Sequence, residues 1–293
     1  MAAKNSRTIL VSGATGKQGG AVFRHLKQRG FSVRALVRNP ESPKARDLEN
    51  HGAEVARGDF ADPASLNRAL DGADGAYSVQ PTQPGAEAEI REGIAFAEAA
   101  NRQAVGHFVY SSVAAADRNT GIPHFESKGR IEERLRQIGM PYTIFRPVFF
   151  MENWLAMRDG IDAGSLTLPL SPQTRLQMIA VDDIGAFVAL AFEHPGHWRN
   201  RAFELAGDEL SMSELAEAFS RVSGREVRYQ QVPWDRFEQQ VGHELALMYR
   251  WFEDKGYDVD IAAVRREYPR LTGFNRWLEQ TWNRPAVQQM SGR

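Results

Sequence analysis

At 293 residues the chain can bury a proper core without disulfide or metal staples, as one large α/β domain with an appendage or as two modest domains. A formal net charge of -1 and a pI of about 6.7 exclude the basic footprint of a direct nucleic-acid binder, so small molecules are the default partners. The absence of cysteine excludes disulfides, thiolate catalysis and Cys-built zinc or iron–sulfur sites.

Met1–Arg7 is polar and lacks the apolar core of a leader, and no apolar run approaches the roughly 18 residues that would span a bilayer. The expectation is a cytoplasmic protein without membrane attachment. Thr8–Val11 is a compact apolar run and predicts a buried strand, followed by a helix over Lys17–Arg29 with Val22, Phe23 and Leu26 at core spacing. Strands are predicted at Ser32–Val37, Ala53–Ala56, Ala76–Val79, Phe108–Tyr110 and Tyr142–Phe145. Between them, helices are predicted over Ala45–Asn50, from Asp62-Pro63 to Leu70, over Gly85–Asn101 and over Phe125–Ile138. Regular strand–helix alternation predicts a Rossmann-type doubly wound parallel sheet over residues 1–150.

After Pro147 the rhythm changes. Pro169 and Pro172 punctuate a loop, a helix is predicted over Asp182–Phe192 with Asp182-Asp183 as its N-cap, and Ala202–Leu205 reads as a strand. Ser211 and Glu214 form a capping box for a helix to Val222, and Trp234–Trp282 is helix-rich. Residues 151–293 are thus expected to form a smaller, mixed lobe, with chain crossings between the lobes and a fraying polar tail after Asn283.

The turn Gly13-Ala14-Thr15-Gly16-Lys17-Gln18-Gly19 joins the first strand to the first helix. There glycines permit a tight turn and close backbone approach, and first-turn N–H groups can meet a diphosphate. The second strand ends in Arg38, ~20 residues beyond the turn, with no carboxylate at that point. A carboxylate there would repel a ribose 2′-phosphate; the planar fork of Arg38 would attract one, with Lys17 or Lys44 in support, unless Arg38 is simply a solvated arginine. NADP(H) is therefore the expected cofactor. Asp59 and Phe60 close the third strand, where they can serve an adenine, although an Asp there also forms ordinary turns.

The GxxGxxG spacing resembles the extended or atypical short-chain dehydrogenase/reductase superfamily. In that superfamily a tyrosine four residues before a lysine serves as the acid; here Lys128 occupies the lysine's place and His124 that of the tyrosine. His124 can act as a general acid or merely begin its helix, and Ser112 can orient a substrate oxygen or merely form a turn. The stretches Gly13–Gly20, Arg38–Pro40, Gly58-Asp59, Val109–Ser112, His124–Gly129, Arg146–Asn153 and Phe274–Glu279 together resemble the NmrA-like family. That resemblance implies Gly13–Gln18, Arg38, Asp59 and Phe60 around the ADP half of NADP(H). It implies Gln80, Pro81, Thr82, Lys128, Phe150 and Asn153 around the nicotinamide half.

It also implies two functions, an NADPH reductase for a planar electron-poor acceptor (quinone, dye or enone) or a non-catalytic NADP(H) redox sensor. A protein partner is expected only for the sensor, and the oligomeric state is left open. A nucleotide-sugar epimerase is disfavoured by the missing tyrosine. No metal is expected: His194-Pro-Gly-His197 reads as a solvated loop. Trp234, Phe237, Tyr249, Trp251, Phe252 and Trp277 read as core, with part of the cluster available to line an acceptor pocket.

Overall fold

A computed structural model describes residues 7–81 and 85–282. Thr82 and the tail after Asn283 fall outside the described residues. The first part of the chain runs β1 (Thr8–Val11), α1 (Lys17–Gln28), β2 (Ser32–Val37), α2 (Pro43–Asn50), β3 (Glu54–Arg57), α3 (Pro63–Leu70), β4 (Gly75–Ser78), α4 (Ala86–Arg102), β5 (Phe108–Ser111), α5 (Pro123–Ile138) and β6 (Tyr142–Pro147). Local chemistry accounts for several of these boundaries. Asp62, for instance, accepts from the Ala64 and Ser65 amides while Pro63 opens α3 with the one residue that has no amide to satisfy.

The remaining elements are β7 (Phe149–Phe150), a 3-10 turn (Met151–Met157), α6 (Arg158–Asp162), β8 (Ser165–Leu168), β9 (Arg175–Ile179), α7 (Val181–Glu193), α8 (Pro195–Trp198) and β10 (Arg201–Leu205). They continue with β11 (Asp208–Ser211), α9 (Met212–Ser223), β12 (Arg228–Gln231), α10 (Trp234–Val241), α11 (His243–Asp254), α12 (Ile261–Glu267) and α13 (Phe274–Thr281). The capping box at α9 forms as its residues predict. Two strands flank the proline loop where the sequence shows only punctuation. β8 pairs with β12 and β9 with β7 and β11, so their partners lie outside any local pattern.

The central sheet has seven strands in the order β3-β2-β1-β4-β5-β6-β10, all parallel. Alternate residues of β1 feed opposite layers. Ile9 and Val11 join a core under α1, α2 and α7, and Leu10 joins one under α3, α4 and α5. A third core gathers the elements after Phe149, with Ala115, Ile122 and Phe125 reaching into it. The chain returns to the first layer through α7, which packs along α1, and through β10, which completes the sheet beside β6. The helices touch closely because a Cβ on Gly185 would lie 2.6 Å from the backbone of Ala21.

The expected N-cap at Asp182-Asp183 is corrected. Both lie inside α7; Ala180 holds the cap position, and Glu152 accepts the Val181 amide at 3.1 Å. With that amide served, Asp182 pairs instead with His25 (2.9 Å) and Arg24 (3.1 Å) of α1, and the His25 bond holds its carboxyl down at about 2. Asp183 accepts from the amide and hydroxyl of Thr272; burial nevertheless pushes its carboxyl up to about 6.

Candidate functional site

The strand order reverses between β1 and β4, and a cleft of about 580 Å3 opens at the carboxyl ends of these strands. Ser12, fully buried at the end of β1, donates to the Val79 carbonyl (3.0 Å) and accepts the Val79 amide (2.9 Å), which fixes the two strand ends together. Gly13 then turns at φ +63, where a Cβ would also meet Val79 Cγ1 at 2.7 Å. The Gly16 amide donates to the Gly13 carbonyl at 2.8 Å, and α1 starts with no side-chain cap. A Cβ on Gly19 would sit 2.3 Å from the Gly13 carbonyl group, so the helix rests directly on the turn. The first-turn amides of α1 have no partner within the helix, which suits them to an anion.

Gly13, Thr15, Gly16, Lys17 and Gln18 line the cleft, whereas the Ala14 side chain is buried beneath it. Gln18 is held by Ser111, whose hydroxyl donates to Oε1 at 2.7 Å. At the outer end, Arg38 is exposed and enters no hydrogen bond or ion pair among the described residues. Its neighbour Asn39 accepts the Glu41 amide, and Ser42 caps α2, so the loop that carries Arg38 is internally braced. Asp59, Phe60 and Glu92 line the same end. Asp59 Oδ1 accepts the Ala61 amide at 2.9 Å, and the Phe60 ring stands edge-on to Phe96 with centroids 5.6 Å apart. Glu92 Oε2 is buried without a hydrogen-bond partner among the described residues. Burial raises that carboxyl above its ordinary value and Asp59 adds to the rise, while Arg38 and Arg91 oppose it.

Toward the other end the cleft is walled by Val79, Gln80, Pro81 and Phe150. Gln80 is buried; its amide nitrogen donates to Ser78 (2.8 Å), and its Oε1 has no partner among the described residues. The close turn at Gly13 and Gly19, where no Cβ fits, brings the backbone at the start of α1 to the wall of the cleft, an arrangement that suits an anionic ligand.

The three residues expected to carry chemistry are each engaged elsewhere, and none lines the cleft. Lys128 forms a buried ion pair with Glu89 of α4, and Ser127 donates to the same carboxylate. His124 pairs through Nδ1 with Glu244 of α11 at 2.7 Å and stands edge-on to Phe125. His124 and Lys128 share a helix face by spacing, but different helices claim their polar ends. Ser112 is 4% exposed and donates to Glu132 at 2.6 Å; Glu132 also holds Arg146, so this hydroxyl serves the ion pair under β6. Asn153 is exposed and outside the cleft lining, whereas its neighbour Glu152 ties α7 to Trp277.

Glu89 and Glu92 went unmarked in the sequence because α4 also carries Glu87 and Glu98, and nothing in the string separates buried from solvated glutamates. Tyr77 and Tyr110 are fully buried phenols whose ionisation burial opposes, and neither lines the cleft. Phe237, Tyr249, Phe252 and Trp277 are buried in the third core with Trp234 and Trp251 packed on it, and none of the six reaches the cleft. Among the described residues no cluster of His, Asp and Glu is arranged to hold a metal; His197 pairs with Glu267 at 2.9 Å.

A model of the NmrA-like family matches residues 5–282 of the chain. An NAD(P)H azoreductase of Xenophilus azovorans is 33% identical over 233 residues, which cover 79% of each chain. Among solved structures, the Citrobacter sp. triphenylmethane reductase complexed with NADP(H) superposes with a TM-score of 0.82 at 24% identity, over 93% of this chain and 99% of that one. NmrA, a negative transcriptional regulator solved in complex with NADP, superposes with a TM-score of 0.80 at 22% identity, over 98% of both chains. At these identities the superpositions show a common fold.

Proposed function

This chain belongs to the NmrA-like family, and we propose that it binds NADP(H) and reduces a small planar, electron-poor acceptor of the quinone, dye or enone kind. The observation that carries the reading is Arg38. It is a guanidinium at the end of β2, unpaired among the described residues, in a cleft that the start of α1 lines and with no carboxylate directly after that strand. The named natures of the azoreductase and triphenylmethane reductase relatives support the acceptor class.

When bound, the cofactor supplies hydride. The chain's own part is to bind and orient. The α1 amides and Lys17 take the diphosphate, Arg38 the 2′-phosphate, and Gln80 and Phe150 face the nicotinamide half. Among the described residues, the two candidate acids are engaged elsewhere. Lys128 is neutralised by Glu89, and His124 is turned to Glu244. The proton that accompanies hydride then comes from solvent, which suits acceptors whose reduced oxygen or nitrogen bears charge easily and which need little acid catalysis.

The same internal pairing favours a second reading, a sensor whose conformation follows the NADP+/NADPH ratio without turnover, and this requires unequal affinity for the two forms. Purified chain and NADPH, followed at the absorbance of the reduced nicotinamide with a panel of quinones, azo and triphenylmethane dyes and enones, separates the two. Consumption with any acceptor class is expected. Tight binding without consumption, with different affinities for NADP+ and NADPH, would replace the reductase by the sensor.

A further inference from the structure

We propose that Glu152 couples the start of α1 to the C-terminal helix: an anion that engages Lys17 alters the carboxylate clasp on the Trp277 indole, so that α13 registers whether the cleft is filled. This rests on the cofactor reading above and adds to it a route by which the second lobe senses occupancy.

Strand pairing sets the geometry. Phe150, which walls the cleft, pairs with Ile179 at the end of β9, and β9 runs through Ala180 into α7. Glu152, two residues past Phe150, meets the open end of α7 and accepts the Val181 amide at 3.1 Å. Its other oxygen accepts the Trp277 indole Nε1 at 3.1 Å, so one side chain ties the cleft wall, α7 and α13 together. Trp277 is 3% exposed, stacks on Phe274 and lies outside the cleft lining, so a ligand in the cleft does not touch it.

Charge completes the link. Lys17 opens α1, lines the cleft, is exposed and enters no ion pair among the described residues. Burial pushes the Glu152 carboxyl above its ordinary value, and the Val181 amide, the Trp277 indole and the charge of Lys17 hold that rise back. The acids of α7 are engaged otherwise, Asp182 with His25 and Arg24 of α1 and Asp183 with Thr272. A diphosphate seated on Lys17 cancels the field of the ammonium at Glu152. The carboxylate then depends on its N–H donors alone, and its bond to Trp277 changes with the charge it must carry. A ligand shifts such an arrangement only through an interaction that differs between the two states, and the competition for Lys17 is that interaction.

The test follows the indole N–H resonance of Trp277 in the isotope-labelled full chain, assigned by its loss in Trp277→Phe. NADP+ should move it. The movement should be lost in Glu152→Gln, whose neutral side chain is blind to the field of Lys17, and in Lys17→Met, at NADP+ concentrations that calorimetry shows to be saturating. Melting curves check that both variants fold, and Lys17 is exposed, so its variant serves if Glu152→Gln does not fold. A resonance unmoved by bound NADP+ in the unaltered chain, or moved equally in a folded variant, overturns the coupling and leaves the cofactor reading intact. Failure of the unaltered chain to bind NADP+ overturns the cofactor reading and this coupling with it.

Discussion

The two ends of the cleft are built on opposite rules. At the end proposed for the adenosine, Arg38 is exposed without an ion pair among the described residues, and α1 begins with no side-chain cap. Beyond the nicotinamide end, Lys128, His124 and Ser112 are each matched to a carboxylate of the chain itself. Charged and polar groups left open at a cleft suit a ligand. Satisfied groups signal a scaffold. On the function proposed above, the polar groups of this chain serve to hold a cofactor more than to move protons.

That contrast can be broken at either end. The largest effect is expected from Glu89→Ala, which leaves Lys128 charged and buried without a partner; the loss is about 3–5 kcal/mol of stability. In a chain of this size that is a fall in Tm of about 10 °C, and Lys128→Met in the same variant should restore part of it. A melting temperature unchanged by Glu89→Ala would mean that Lys128 is not scaffold. Next, Arg38→Asp should weaken NADPH binding by about 100-fold and shift preference toward NADH, as loss of a charged pair and gain of repulsion require. Equal affinities before and after would remove Arg38 from the 2′-phosphate. The smallest effect belongs to His124→Ala, where acceptor turnover should change by less than about threefold. A true general acid contributes about 100-fold or more, and a loss of that size would restore His124 to the chemistry and collapse the contrast.

How much of this was legible in the sequence follows from the range of each interaction. The turn from Gly13 to Gly19 could be read because its three glycines, a preceding apolar strand and a following helix are all local, and the structure places the cleft there. Asp62-Pro63 and the Ser211–Glu214 box were equally readable, since a cap is satisfied within a few residues. The partners of Lys128, His124 and Ser112 were not, because Glu89, Glu244 and Glu132 lie on helices that only the folded topology brings near, and each sits among other glutamates. Asp182-Asp183 misled for the same reason. Their caps-by-habit reading was displaced by a distant Glu152, and β8 and β9 escaped notice because their partners are distant too.

The position of β10 has a consequence for biosynthesis. While the ribosome extends the chain past Pro147, β6 forms the border of an otherwise finished parallel sheet, and its hydrogen-bonding groups stay unzipped until residue 205 has emerged. Everything from the 3-10 turn to α8 must be made before that border closes, so the nascent polypeptide carries a sticky flank while that stretch is translated, when a chaperone would be of most use.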